Sequence, residues 1–141
     1  MLKQVFLILV SLSIFAETYT VETMNSKDGH SMVFNPSFLK IMPGDTVKFV
    51  PSSKGHTSHS VFTPKNARPW LIENNKTGEV TFKEEGVYIY DCKNHYVMGM
   101  NGVIQVGKAL NLEEAKKFSK TYLKKVAMKK NRLNKSLNMV K

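Results

Sequence analysis

The chain has 141 residues, 42% of them hydrophobic, with 21 Lys and Arg against 11 Asp and Glu, four histidines and one cysteine. That length is one domain's worth of chain with room for a sizeable core, and a single cysteine excludes an internal disulfide framework. A net charge of +10 would ordinarily raise nucleic-acid binding, but what it implies depends on where along the chain the charge lies.

Residues 1–16 read as a secretory signal peptide. Lys3 gives a positive start, Val5 to Phe15 is an apolar run broken only by serines, and Ile14-Phe15-Ala16 resembles a small-residue cleavage site. The run is shorter than the roughly 20 apolar residues a membrane span needs, so no stable anchor is expected. Cleavage after Ala16 leaves residues 17–141, bound for the periplasm. Export also makes Cys92 conspicuous. In an oxidising compartment a structural cysteine normally has a partner, and this one has none within the chain. An inert buried thiol, an intermolecular disulfide and a metal-bound thiolate are the competing readings.

From Glu17 to Gly107 nine basic residues balance nine acidic ones, whereas from Lys108 to Lys141 eleven basic residues face only Glu113 and Glu114. The basicity therefore belongs to a C-terminal appendix. An exported chain meets little nucleic acid, and none is expected as a partner. An acidic protein or an anionic surface suits the appendix better.

Residues 17–107 read as short strands. Thr18–Met24 alternates and is rich in β-formers, and Asn25 to Gly29 forms a turn cluster. Ser31–Phe34 and Leu39–Met42 follow, and Pro43-Gly44-Asp45 is a strong turn signal before Thr46–Val50. His56–Phe62 fits another strand. Thr63 to Thr77, with Pro64 and Pro69, reads as loop with a helical turn around Trp70. Glu79–Phe82, Gly86–Asp91 and Gly102–Val106 bring the count to about eight, at the spacing of a mainly β sandwich.

The period changes in residues 108–141. Asn111 is placed to cap a helix with Glu114 at its third position, and Ala115, Phe118, Tyr122 and Val126, then Leu133, Leu137 and Val140, recur at helical spacing. Helix is expected over 112–139, as one piece or as two with a break near Met128–Asn131. Its apolar stripe should pack on the sandwich with its lysines in water.

One stretch between strands carries the chemistry: Cys92-x2-His95-x4-Met100. Thiolate, imidazole and thioether in this order are three members of the His2Cys set with a weak axial Met that defines a copper electron-transfer site. One more histidine is needed. His56, after the Lys54-Gly55 turn, is the first candidate, because Gly55 lets the backbone come close to a metal. His59 is the rival; the odd spacing puts the two on opposite strand faces, so at most one points at the site. His30 and His59 otherwise read as surface or hydrogen-bonded residues.

Lys27-Asp28-Gly29, Met32 to Pro36, Pro43 to Val47, Lys54-Gly55-His56, Gly86-Val87-Tyr88, Cys92-x2-His95-Tyr96-x-Met98-Gly99-Met100 and Gly102 to Gly107 closely resemble the pseudoazurins, a family of blue copper proteins within the cupredoxins. The resemblance covers nearly all of residues 17–141. It implies an eight-stranded Greek-key sandwich with a helical appendix and one type 1 copper held by His56, Cys92, His95 and Met100. It further implies electron exit through the exposed edge of His95, beside Met98, within an apolar patch ringed by lysines. Lys54 matches a docking position of that ring, and Lys93 is a local substitute. Three positions depart from the family pattern: Thr57 stands where Asn is usual, Asn94 where Pro is usual, and Asp91 where Lys is frequent. The first two border the ligands and bear on the hydrogen bonds around them.

Four protein ligands leave no open position for a substrate, so a carrier is expected and not an enzyme. A copper oxidase or nitrite reductase would need further histidines, and only His30 and His59 remain. The resemblance suggests a monomer exchanging electrons with c-type cytochromes, nitrite reductase, nitrous oxide reductase or cytochrome c peroxidase. Eight methionines keep copper delivery or storage as the alternative function.

Overall fold

Alternating burial carries Thr18–Lys27 (β1) through ten residues, with Val21 and Thr23 buried. The strand outruns the expected turn cluster. Asp28 and Gly29 alone make the turn, both with positive φ (49° and 79°), the pairing that a two-residue hairpin of right-handed twist requires. His30–Asn35 (β2) returns with Lys27 opposite His30. The computed structural model describes residues 15–141. The signal-peptide reading of residues 1–16 therefore lies, apart from Phe15 and Ala16, outside the described residues. No helix among those described is long and apolar enough to cross a membrane.

Phe38–Ile41 (β3) leaves for a second sheet, while Thr46–Pro51 (β4) runs parallel to β1. The remaining strands are Ser58–Phe62 (β5), Leu71–Ile72 (β6), Gly78–Thr81 (β7), Gly86–Asp91 (β8) and Asn101–Val106 (β9). They assemble as sheets of order β2-β1-β4-β7 and β3-β9-β8-β5-β6. Eight of the nine strands are those read from the sequence. The ninth, β6, lies where a loop with a helical turn was expected. Trp70 explains the difference: its indole Nε1 donates to Ser58 Oγ at 3.0 Å and its ring packs among Phe49, Phe82, Tyr88 and Tyr90, so the chain beside it runs extended along β5.

Between the sheets lie Val21, Phe34, Ile41, Val47, Phe49, Tyr88, Tyr90, Ile104 and Val106 together with Cys92 and Met100. Side chains buried this fully contribute about 1.5–3 kcal/mol each over exposure. Every residue of β8 and β9 is buried, on both faces. Tyr88, Tyr90 and Cys92 point into the sandwich; Val87, Ile89 and Val103 face outward into a second cluster with Ala115, Tyr122, Val126, Leu133 and Leu137.

Ala115 and Tyr122 come from the helix Leu112–Tyr122 (α1) and Leu133 and Leu137 from the helix Asn131–Leu137 (α2), separated by a 3-10 turn at Leu123–Lys125 and an irregular link that supplies Val126. Glu113 and Glu114 occupy the first turn of α1, where the helix dipole favours them. The capping expected of Asn111 does not occur. Its side chain turns to β8 instead, accepting from Val87 N at 2.6 Å and donating to Val87 O at 3.1 Å. Pairing a strand's backbone groups outweighed capping and anchors the appendix to the strand that leads into Cys92.

Candidate metal centre

β8 delivers Cys92 to one end of the sandwich, and the chain returns to β9 through a tight loop. Cys92 N donates to Met100 O at 3.1 Å, His95 N to Cys92 O at 3.1 Å, and Met100 N to His95 O at 3.3 Å. A 3-10 turn at Tyr96–Met98 closes on Gly99, whose φ of 78° suits glycine. A β-carbon at Gly99 would also stand 2.8 Å from Met128 O, so the link between the helices lies directly on the loop. Ala127 N and Met128 N both donate to Val97 O, at 2.9 and 3.0 Å.

His56 arrives from the segment before β5, not from within the strand as expected. His56, Cys92 and His95 each offer a ligand atom, and these lie within 4.8 Å of one another. Cys92 Sγ is 3.8 Å from His56 Nδ1 and 3.4 Å from His95 Nδ1. A first-row ion with bonds of about 2.3 Å to sulfur and 2.0–2.1 Å to nitrogen separates such ligands by about 3.5–3.8 Å at angles between tetrahedral and trigonal. The spacing therefore fits one shared ion. Met100, fully buried, sits in the same core cluster as Cys92.

The imidazole of His56 is oriented from behind. Its Nε2 lies 2.7 Å from Asn25 Oδ1, an acceptor that fixes the proton on Nε2 and leaves Nδ1 free to bind. Burial, then the neighbouring His95 ring, holds its pKa below the usual imidazole range, so the ring stays neutral and ready for a metal. His59 takes the opposite course: its Nδ1 is 3.3 Å from Asp91 Oδ1, away from the cluster. Of the two candidates only His56 joins Cys92. His30 is exposed on β2 and joins no such group.

The sequence model of copper-binding proteins of the plastocyanin/azurin family matches residues 21–107. The chain belongs to that family. Pseudoazurin of Methylorubrum extorquens is 38% identical over 104 residues, spanning 72% of this chain and 70% of that protein. Pseudoazurin of Paracoccus pantotrophus is 36% identical over 105 residues, 72% of each. The crystal structure of native pseudoazurin from Hyphomicrobium denitrificans superposes with a TM-score of 0.76 at 35% identity, covering 88% of this chain and 98% of that one. The resemblance read from the sequence is thus to the right relatives, and the cofactor is copper.

The three departures from the pseudoazurin pattern each have a structural role. Thr57 N points at Cys92 Sγ from 3.5 Å, its hydroxyl lies 3.9 Å from the same sulfur, and that hydroxyl accepts from Lys93 N at 2.9 Å. Asn94 Nδ2 donates to Gly55 O and to Asn74 Oδ1, both at 2.9 Å, tying the Cys92 loop to the His56 loop. Asp91 is only 4% exposed; it faces the helices and accepts from Tyr122 OH at 2.7 Å, so it takes no part in any surface ring. Lys54 and Lys93 are exposed, His95 and Met98 half-buried, and Val97 is 39% exposed beside them.

The sequence alone does not mark Asn25, Asn74 or Tyr122: Asn25 sits within a turn signal, Asn74 has no local signature, and Tyr122 belongs to a helical stripe.

Proposed function

We propose that this protein is a periplasmic carrier of single electrons, with one type 1 copper held by His56, Cys92, His95 and Met100. The observation that carries the reading is the convergence of two imidazole Nδ1 atoms on the Cys92 thiol at 3.4 and 3.8 Å, within a frame of backbone hydrogen bonds. Copper supplies the one-electron Cu(I)/Cu(II) couple, for which a mixed nitrogen and sulfur set is a compromise between the two states. The residues' part is to change little between them. Asn25 fixes the His56 ring, Thr57 donates toward the thiolate, Asn94 joins the two ligand loops, and the interlocked bonds of Cys92, His95 and Met100 resist rearrangement.

Electrons leave, in this reading, through the half-exposed edge of His95 beside Met98 and Val97. Lys54 and Lys93, both exposed nearby in sequence, give the docking face its positive sign toward an acidic partner. Partners of the expected kind are c-type cytochromes as donors and nitrite reductase, nitrous oxide reductase or cytochrome c peroxidase as acceptors. Export follows from the charged and apolar residues 1–16.

Voltammetry of the copper-loaded protein tests the carrier against copper delivery. A carrier gives a reversible one-electron wave and keeps its metal in both states when a competing chelator is added. A delivery protein surrenders cuprous ion to that chelator. Electron transfer to nitrite reductase should slow as ionic strength rises, and a flat response would remove Lys54 and Lys93 from the docking face.

A further inference from the structure

A cavity of about 330 Å³ lies between the β1–β2 hairpin, the start of β9 and α2. That is within the range of small-molecule sites, about 300–1,000 Å³. Its wall contains Arg132, whose guanidinium donates to Ser31 O at 2.8 Å, Met32 O at 2.9 Å and Gly99 O at 3.4 Å. No carboxylate lies within ion-pair distance of Arg132 among the described residues. Desolvation accordingly pulls its pKa below the usual arginine range. This is a half-buried cation held by carbonyl dipoles, with no counter-ion.

Two further observations point the same way. Asn101 lies on the same cavity, is 4% exposed, and neither polar atom of its carboxamide has a hydrogen-bond partner. Native proteins rarely leave a buried amide unpaired, so this carboxamide calls for both an acceptor and a donor that the described residues do not supply, and a phosphate carrying one proton offers both. Lys27 and Lys135 join Arg132 around the space, against Asp28 alone. His30 and Met32 also line it, but three fixed positive charges to one negative oppose a metal cation there.

We propose that this cavity binds a small oxyanion of the phosphate type, with Arg132, Lys27 and Lys135 as its charge partners and Asn101 at its floor. Gly99 and Asn101 flank Met100 in the chain, so an occupant stands beside the segment that carries the proposed thioether ligand. Binding and redox state are then linked reciprocally: an anion here favours the more positive cupric centre and lowers the midpoint potential. This last consequence rests on the copper reading above; the binding itself does not.

Calorimetric titration of the copper-loaded protein with inorganic phosphate at fixed ionic strength tests the site. Saturable one-to-one binding is expected, weakened about tenfold by the double change Lys27→Gln and Lys135→Gln and unaltered by Lys116→Gln with Lys120→Gln on α1. Arg132→Gln should abolish binding. Because that change also removes bonds to the backbone, the exposed lysine pair keeps the test independent of folding. Vesicles of phosphatidylglycerol form a second arm: binding of vesicles but not phosphate, lost with the Lys27 and Lys135 pair, assigns the site to a headgroup. Absence of binding in both arms, or equal weakening by the Lys116 and Lys120 pair, overturns the proposal. If phosphate binds but the midpoint potential is unchanged, the link to the metal fails and the site stands.

Discussion

The carboxamide oxygen of Asn25 lies 2.7 Å from Nε2 of His56, across 31 residues of chain. Extension of β1 past Met24 puts Asn25 there, and the contact chooses the imidazole tautomer before any metal arrives. Replacing Asn25 by Leu is expected to weaken copper binding about 10–100-fold, the usual cost of losing such a partner. Competition against a chelator of known affinity measures it. Unchanged affinity would mean that the ring is oriented by something else.

The depressed pKa of His56 has a signed consequence for the metal-free protein. Above the ordinary imidazole range near pH 6.5 the ring is neutral in both folded and unfolded chains, and it contributes no pH dependence. As pH falls below that value the unfolded chain takes up a proton that the buried ring resists, so stability declines until pH passes through the folded pKa. Urea denaturation of the apo protein at pH 7 and pH 5 should show this loss, and His56→Gln should reduce it. Equal losses in the two proteins would contradict the assignment.

Tyr122→Phe should destabilise the protein by about 1–3 kcal/mol in urea denaturation, because it leaves the 4% exposed Asp91 carboxylate without its 2.7 Å donor. The bond joins α1 to the residue next to Cys92, so the cupric spectrum should shift as well. Loss of stability with an unaltered spectrum would confine the bond to a packing role.

The β-sandwich was legible because its strands alternate and are punctuated by Pro and Gly, and the thiol, imidazole and thioether were legible because they share one loop. What escaped depends on contacts between distant segments. Asp91 stands where the resembled family often has a lysine, and nothing in the ligand loop alone says that it is buried. The uninterrupted apolar run Val87–Tyr90 already marks a strand covered on both faces, and the parity that sends Cys92 inward sends Asp91 under the helices. Asn111 had the chemistry of a cap but was drawn to Val87, and Asn25 had that of a turn but continues a strand. In each case local propensity lost to backbone pairing supplied from elsewhere in the fold.

Gly99→Ala should destabilise the loop by about 1–3 kcal/mol, since it combines a left-handed backbone with a β-carbon 2.8 Å from Met128 O. Thermal unfolding of the copper-free protein checks the cost. If Met128 is pushed away, the midpoint potential should move too, because the link rests on the loop that carries His95 and Met100.

In the proposed centre the Cys92 thiolate binds cupric ion together with His56, His95 and Met100. The most direct measurement is the visible and paramagnetic resonance spectrum of the protein loaded with cupric ion, beside that of Cys92→Ser. The expected result is an intense thiolate-to-copper charge-transfer band that disappears in the variant. A colourless loaded protein, or an intense band that survives the loss of Cys92, would contradict it.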